Sequence, residues 1–218
     1  MIESYPDAGS LADTAARATT VHLARALAAR GAASLVATGG RSPGPVYDRL
    51  VTADLDWSRI NVTLSDDRCV DADHPDSNAR LVCARLLQCA AAKAPFLPLR
   101  PIPDPAALKA LMPFDVVVLG MGEDGHVASL IPGDPGLEDA LTTEDLLRKV
   151  PAGLGKPPLA RITLTLSAIT NARAIFLLIA GTAKREVIER VLTGEDLPVG
   201  RLIAQAGDRL RIFWTPGD

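Results

Sequence analysis

Little in these 218 residues announces a specialised chain. Aromatic residues make up only 4%, against 48% hydrophobic residues in all, so alanine, leucine and valine must fill any core. Cysteines number three, Cys69, Cys83 and Cys89, an odd count without C-x-x-C spacing. That pattern supports neither a disulfide framework nor a zinc site. Basic residues are not in excess. The net charge of −3 argues against a nucleic-acid or anionic-membrane surface. No apolar run approaches the roughly 18 residues a spanning helix needs. The opening, Met1-Ile-Glu-Ser-Tyr-Pro-Asp7, lacks the basic-then-apolar start of a signal peptide. These absences lead us to expect a soluble, cytoplasmic protein. The length suits one large α/β domain or two small ones, and no repeat or low-complexity linker divides it.

What is present centres on the stretch from Phe114 to Gly133. Val116 to Leu119 is a β-branched and aliphatic run without polar alternation, as in a strand buried on both faces of a parallel sheet. Gly120, Gly122 and Gly125 then let the backbone turn tightly and lie close to a ligand. His126 follows at once, where a helix is expected to begin. A strand, a glycine turn and a helix start would place His126 at the carboxyl edge of a sheet, where open α/β folds bind ligands. Three readings compete. The glycines satisfy G-x-G-x-x-G, the dinucleotide pattern, but no second strand ending in Asp or Glu follows to hold a ribose. His126 is alternatively a capping or loop histidine, or a general base.

The rest of the chain reads as alternating helices and strands. Leu11, Ala15, Ala18, Val21, Ala24 and Leu27 recur at helical spacing, predicting a helix to Arg30 with Ser10 as N-cap and Gly31 beyond its end. A strand from Ala33 runs into Gly39-Gly40-Arg41-Ser42-Pro43, with Pro43 suited to a first helical turn. Exposed amides, a guanidinium and a hydroxyl there make an anion site, or else an ordinary turn; the Walker pattern is absent. Ile60 to Ser65 is a strand ending in Asp66-Asp67-Arg68, three charges that are either solvated or functional. A helix is expected over 78–92, then a proline-rich surface connection over 93–113. A helical piece over 142–149 precedes an alternating strand over 162–166 and a buried strand over 173–181. Thr182 is expected to cap a helix over 184–192, and 210–214 is a final strand. The expectation is one α/β domain over residues 1–218, a mainly parallel sheet flanked by helices.

Taken in order, these motifs resemble the 6-phosphogluconolactonase family, within the larger group that includes glucosamine-6-phosphate deaminase. The resemblance runs from about Ala33 to Trp214. It rests on Gly39-Gly40-Arg41-Ser42-Pro43, on Asp66-Asp67-Arg68 with Asp73-His-Pro-Asp-Ser-Asn78, on Gly120-Met-Gly-Glu-Asp-Gly-His126 with Ala128-Ser-Leu-Ile-Pro-Gly133, and on Lys156-Pro-Pro with Arg161-Ile-Thr-Leu-Thr165. The departures are Asp67 for a longer acid, Arg41 where many relatives have Ser, and the closing Thr215-Pro-Gly-Asp218.

The resemblance implies hydrolysis of 6-phospho-D-glucono-1,5-lactone in the oxidative pentose phosphate pathway, with no metal and no cofactor. It implies a small phosphorylated sugar lactone as partner, with no nucleic acid or membrane, and leaves the oligomeric state open. A lactone is an activated ester, so water needs only a positioned base. His126 can take the proton from water and return it to the departing ring oxygen. Asp124 either orients the imidazole or caps a helix. Gly39, Gly40, Arg41, Ser42, Asp67, Arg68, Gly122, Gly125, Lys156 and Arg161 are expected around the substrate. Amides near Gly122 and Gly125 are candidates for the oxyanion site. Two rivals remain. A deaminase or isomerase places an acid five residues after the histidine, where this chain has Ile131. A non-catalytic sugar-phosphate sensor has little use for a histidine on the ligand edge.

Overall fold

The computed structural model describes residues 2–217. Its elements in chain order begin with β1 (Ile2–Ser4), α1 (Ala8–Arg30), β2 (Ala33–Ala37), α2 (Gly44–Leu50), β3 (Ile60–Leu64), β4 (Asp66–Arg68) and α3 (Asn78–Arg85). There follow β5 (Phe96–Leu97), α4 (Pro105–Lys109), β6 (Val116–Gly120), α5 (Leu137–Thr142), β7 (Leu147–Val150) and β8 (Arg161–Leu164). The chain closes with α6 (Leu166–Thr170), β9 (Ile175–Ala180), α7 (Thr182–Leu192), α8 (Pro198–Ala206) and β10 (Leu210–Thr215).

Seven strands form one sheet in the order β1-β10-β9-β6-β2-β3-β5, and every pairing in it is parallel. Helices cover both faces, so its strands must be apolar on both. Residues alternate between two cores: Leu35, Val116, Val118 and Phe176 pack with α1, while Val36, Val117, Leu119 and Leu177 pack with α6 to α8. The scarcity of aromatics shows in α1, which buries Ala12, Ala15, Ala16 and Ala26. A second, antiparallel sheet, β4-β8-β7, stands beside the first. Sheet order reverses between β2 and β6: β3 lies beyond β2, while β9 and β10 lie beyond β6. The crevice outside the carboxyl ends of two such strands is where open α/β sheets bind ligands.

Several expectations need correction. Asp7, not Ser10, caps α1; its carboxylate accepts the Ser10 N–H at 2.7 Å, and a charged acceptor is favoured at a helix N-terminus. The buried stripe of α1 is also offset, since Val21 is exposed. The helix expected over 78–92 stops at Arg85, short of Cys89, whose φ of 51° is not helical. The 142–149 segment is no helix: Leu147–Val150 is recruited as an edge strand by β8. The proline-rich connection holds β5 and α4, and Gly181 rather than Thr182 caps α7.

Candidate active site

Two loops leave the switch point, one after β2 and one after β6. The first is held by Tyr47, a buried residue of α2. Its hydroxyl accepts the Thr38 N–H and donates to the Thr38 carbonyl, both at 2.8 Å. Glycine at 39 is a spatial requirement, because a Cβ there would lie 1.9 Å from Asn78 Oδ1. Gly40, Arg41 and Ser42 then line a cavity of about 140 Å³.

The second loop does not start a helix, contrary to the sequence reading. Met121 bridges Val127, and Val127 bridges Leu130, folding the chain back on itself. Gly122 N–H donates to the His126 carbonyl at 3.0 Å, and Gly125 N–H to the Gly122 carbonyl at 3.1 Å. Inside this tight loop the Asp124 carboxylate meets His126 Nδ1 at 2.6 Å and accepts the His126 amide at 3.3 Å. A Cβ at Gly122 would collide with both side chains, at 2.3 and 2.4 Å. No helix follows for Asp124 to cap, so of its two expected roles only contact with the imidazole remains. That contact holds the Asp124 carboxyl below the ordinary carboxylate range. A neutral imidazole that donates Nδ1–H to Asp124 keeps its lone pair on Nε2.

The loop is fastened from beneath. Ser129, fully buried, donates through its hydroxyl to Asp66 Oδ2 at 2.5 Å, and its N–H donates to Thr163 Oγ1 at 3.1 Å. Arg161 sits against this pair, 3.4 Å from Ser129 Oγ and 4.0 Å from Asp66, and donates to the Pro157 carbonyl at 2.8 Å. At 3% exposed it is a buried charge at the start of β8, not a surface one. Arg68 donates to the Asp76 carbonyl at 3.0 Å and to Asn78 Oδ1 at 2.5 Å. The Nε atoms of both arginines are buried without a partner among the described residues.

Eight expected site residues line this cavity together: Gly39, Gly40, Arg41, Ser42, Arg68, His126, Lys156 and Arg161. An outer hollow of about 630 Å³ shares Arg41, His126 and Lys156 with it and adds Gly122 and Asp124. Two residues do not join them. Asp67 is 2% exposed and turns away, accepting N–H groups of Arg68, Asn78 and Ala79 at 2.6–3.2 Å. Burial raises its pKa even so. The reason is that Asp66–Arg68 form a strand of the second sheet, so successive side chains take opposite faces. Gly125 packs against Leu197, which a Cβ there would approach to 2.8 Å.

One lining cation, Lys184 of the first turn of α7, was not singled out from the sequence. Burial lowers its ammonium pKa, with neighbouring Arg41 adding to the effect and Glu123 opposing it. The inner cavity thus gathers Arg41, Arg68, Lys156, Arg161 and Lys184 in a chain of net charge −3. Among the described residues no group of three or more His, Cys, Asp or Glu is placed to hold a metal ion, and no helix is long and apolar enough to cross a membrane.

The family model described as glucosamine-6-phosphate isomerases/6-phosphogluconolactonase matches residues 6–214. The chain is 40% identical to a 6-phosphogluconolactonase of Pseudomonas putida over 99% of its own length and 93% of that protein. Identity to the 6-phosphogluconolactonase of Caulobacter vibrioides is 38%, covering 98% and 97%. The crystal structure of a 6-phosphogluconolactonase from Shewanella baltica superposes with a TM-score of 0.91 at 37% identity, covering 99% of this chain and 97% of that one. The chain belongs to the glucosamine-6-phosphate isomerase/6-phosphogluconolactonase family.

Proposed function

We propose that the chain, acting as one domain, hydrolyses 6-phospho-D-glucono-1,5-lactone to 6-phosphogluconate in cytoplasmic sugar-phosphate metabolism. The observation that carries this reading is the Asp124–His126 pair at 2.6 Å, on the rim of a cavity lined by five cationic side chains. Relatives bearing the lactonase name across nearly the full length support it.

The 6-phosphate seats among the amides of the Gly39–Ser42 turn and the cations around them, since a dianion needs local positive charge in an acidic protein. Arginine can grip two phosphate oxygens with its planar fork, while lysine acts as a point charge. C1 of the lactone then lies toward His126. Nε2 of the imidazole accepts a proton from water as its oxygen bonds to C1. The C1 oxyanion collapses, the bond from C1 to the ring oxygen breaks, and the imidazolium returns the proton to that oxygen. Asp124 fixes the tautomer and stabilises the imidazolium while it lasts. The new carboxylic acid ionises, so each turnover releases one proton.

Position 131 is a buried isoleucine, 2% exposed, and offers no acid for sugar ring opening. The test is to supply fresh 6-phosphogluconolactone and glucosamine 6-phosphate separately, following acid release from one and ammonia from the other. Acid release well above spontaneous hydrolysis, with no ammonia, is the expected result. Ammonia release, or no acceleration of either, would overturn the reading.

A further inference from the structure

Lys184 occupies the first turn of α7, and what aims that turn lies on β10, outside the cavity. Gly181, at φ 94° and ψ 154°, joins β9 to α7. Its N–H donates to the Thr215 carbonyl at 2.9 Å, and its carbonyl accepts the indole N–H of Trp214, also at 2.9 Å. Both polar groups of this one peptide position are therefore tied to the end of β10. The Arg185 guanidinium, next to Lys184 in sequence, lies over the Trp214 ring at 4.5 Å. The turn is thus clamped on its carbonyl by a rigid ring, which also carries the first residue after Lys184. Along the rest of α7, the buried side chains Val187, Ile188 and Val191 pack the helix into the core.

We propose that Trp214 is a positioning residue: through Gly181 and Arg185 it fixes the βα turn that presents Lys184 to the substrate phosphate. The proposal rests on the phosphate reading given above. Trp214 does not line the cavity, so any effect of its loss on substrate must travel through the turn. A cation displaced by about 1 Å from its partner loses much of its effect on a bound group.

Trp214→Phe keeps an aromatic ring beneath Arg185 while removing the N–H donor and part of the ring area. A single hydrogen bond lost at a clamp corresponds to roughly a two- to tenfold change. KM for 6-phosphogluconolactone is expected to rise by about that factor with kcat unchanged, while kcat/KM for unphosphorylated gluconolactone stays as it was. Lys184→Ala is expected to raise the same KM further. In the double variant the tryptophan change should add nothing, because the cation it positions is gone. Additive effects, or an equal loss on both lactones, would show Trp214 to be a packing residue only and overturn the proposal. A Lys184→Ala enzyme with unchanged KM would remove the phosphate assignment of Lys184, and the positioning role with it. A normal Trp214→Phe beside an impaired Lys184→Ala would remove the positioning role alone. Should Trp214→Phe fail to fold, Arg185→Lys carries the test: it keeps the charge, loses the stacked plane, and is expected to raise KM selectively for the phosphorylated lactone. No such shift would again overturn the proposal.

Discussion

In the proposed reaction His126 uses its two ring nitrogens differently, Nδ1 held against Asp124 at 2.6 Å and Nε2 turned to the proton transfer, and neither use needs a covalent nucleophile. The cations around the cavity are assigned a different task in that proposal, holding the phosphate, and the assignment is tested by comparing substrates. Arg68→Ala and Lys156→Ala should each lower kcat/KM for 6-phosphogluconolactone by roughly tenfold to more than a hundredfold, the loss of one charge-assisted contact of about 1.5–3 kcal/mol. Turnover of unphosphorylated gluconolactone should suffer far less, which steady-state assays of both substrates will show. Equal damage to both would mean that the two side chains serve the fold or the carbonyl. Much of this was legible beforehand. Gly39 to Ser42 and His126 follow strands directly, so their place at the sheet edge follows from local pattern alone. Lys184 did not declare itself. Its approach to Arg41 depends on how β9 lies relative to β2, with β6 between them, and no local spacing encodes that.

At the scale of elements, the short strand β4 explains why Asp67 stands apart from the cavity. Read as a charged strand end, Asp66-Asp67-Arg68 looks like three equivalent charges. Pairing with β8 assigns them alternate faces, so Asp66 and Arg68 line the cavity while Asp67 holds the N-terminus of α3. Asp67→Asn keeps the shape but replaces an acceptor oxygen with a donor, stranding at least one buried N–H. The expected cost is about 1–3 kcal/mol at neutral pH, a fall in Tm of several degrees for a chain of this length. Its pH dependence has a definite sign. Burial raises the folded pKa of Asp67 above the ordinary 3.8, so between those values the native state holds a proton the unfolded chain has released. The stability this carboxyl contributes is full below 3.8 and declines as pH rises through the raised value. Denaturation of both proteins across that window should show the wild type gaining on the variant as the solution is acidified. The opposite slope would mean that its three N–H contacts outweigh burial. The short edge strands β1 and β5 escape the pattern, whereas β2, β6 and β9 are legible because a strand covered on both faces is largely apolar. Leu147–Val150 is not, since a leucine-arginine-lysine-valine segment becomes a strand only when β8 offers an edge.

Across the whole molecule, the net-acidic chain brings five of its basic side chains to one cavity at the carboxyl end of the large sheet and sets a histidine–carboxylate pair beside them. No described cluster of donors suits a metal, and the reaction assigned here needs only water and a base. Exhaustive chelation should therefore leave acid release from 6-phosphogluconolactone unchanged; activity lost to chelator and restored by one divalent ion would reject that. The fold class and the crevice could be read from strands, glycines and their order, whereas the antiparallel second sheet that buries Asp66 and Arg161 could not, being made from three distant segments. The measurement that bears most directly on the mechanism is acid release by His126→Ala with fresh 6-phosphogluconolactone, against wild type and the spontaneous rate. A folded variant should lose roughly 10²- to 10⁴-fold in kcat, the contribution of a general acid–base, with KM little moved, because the base acts mainly in the transition state. A folded His126→Ala enzyme that turns over at close to the wild-type rate would contradict it.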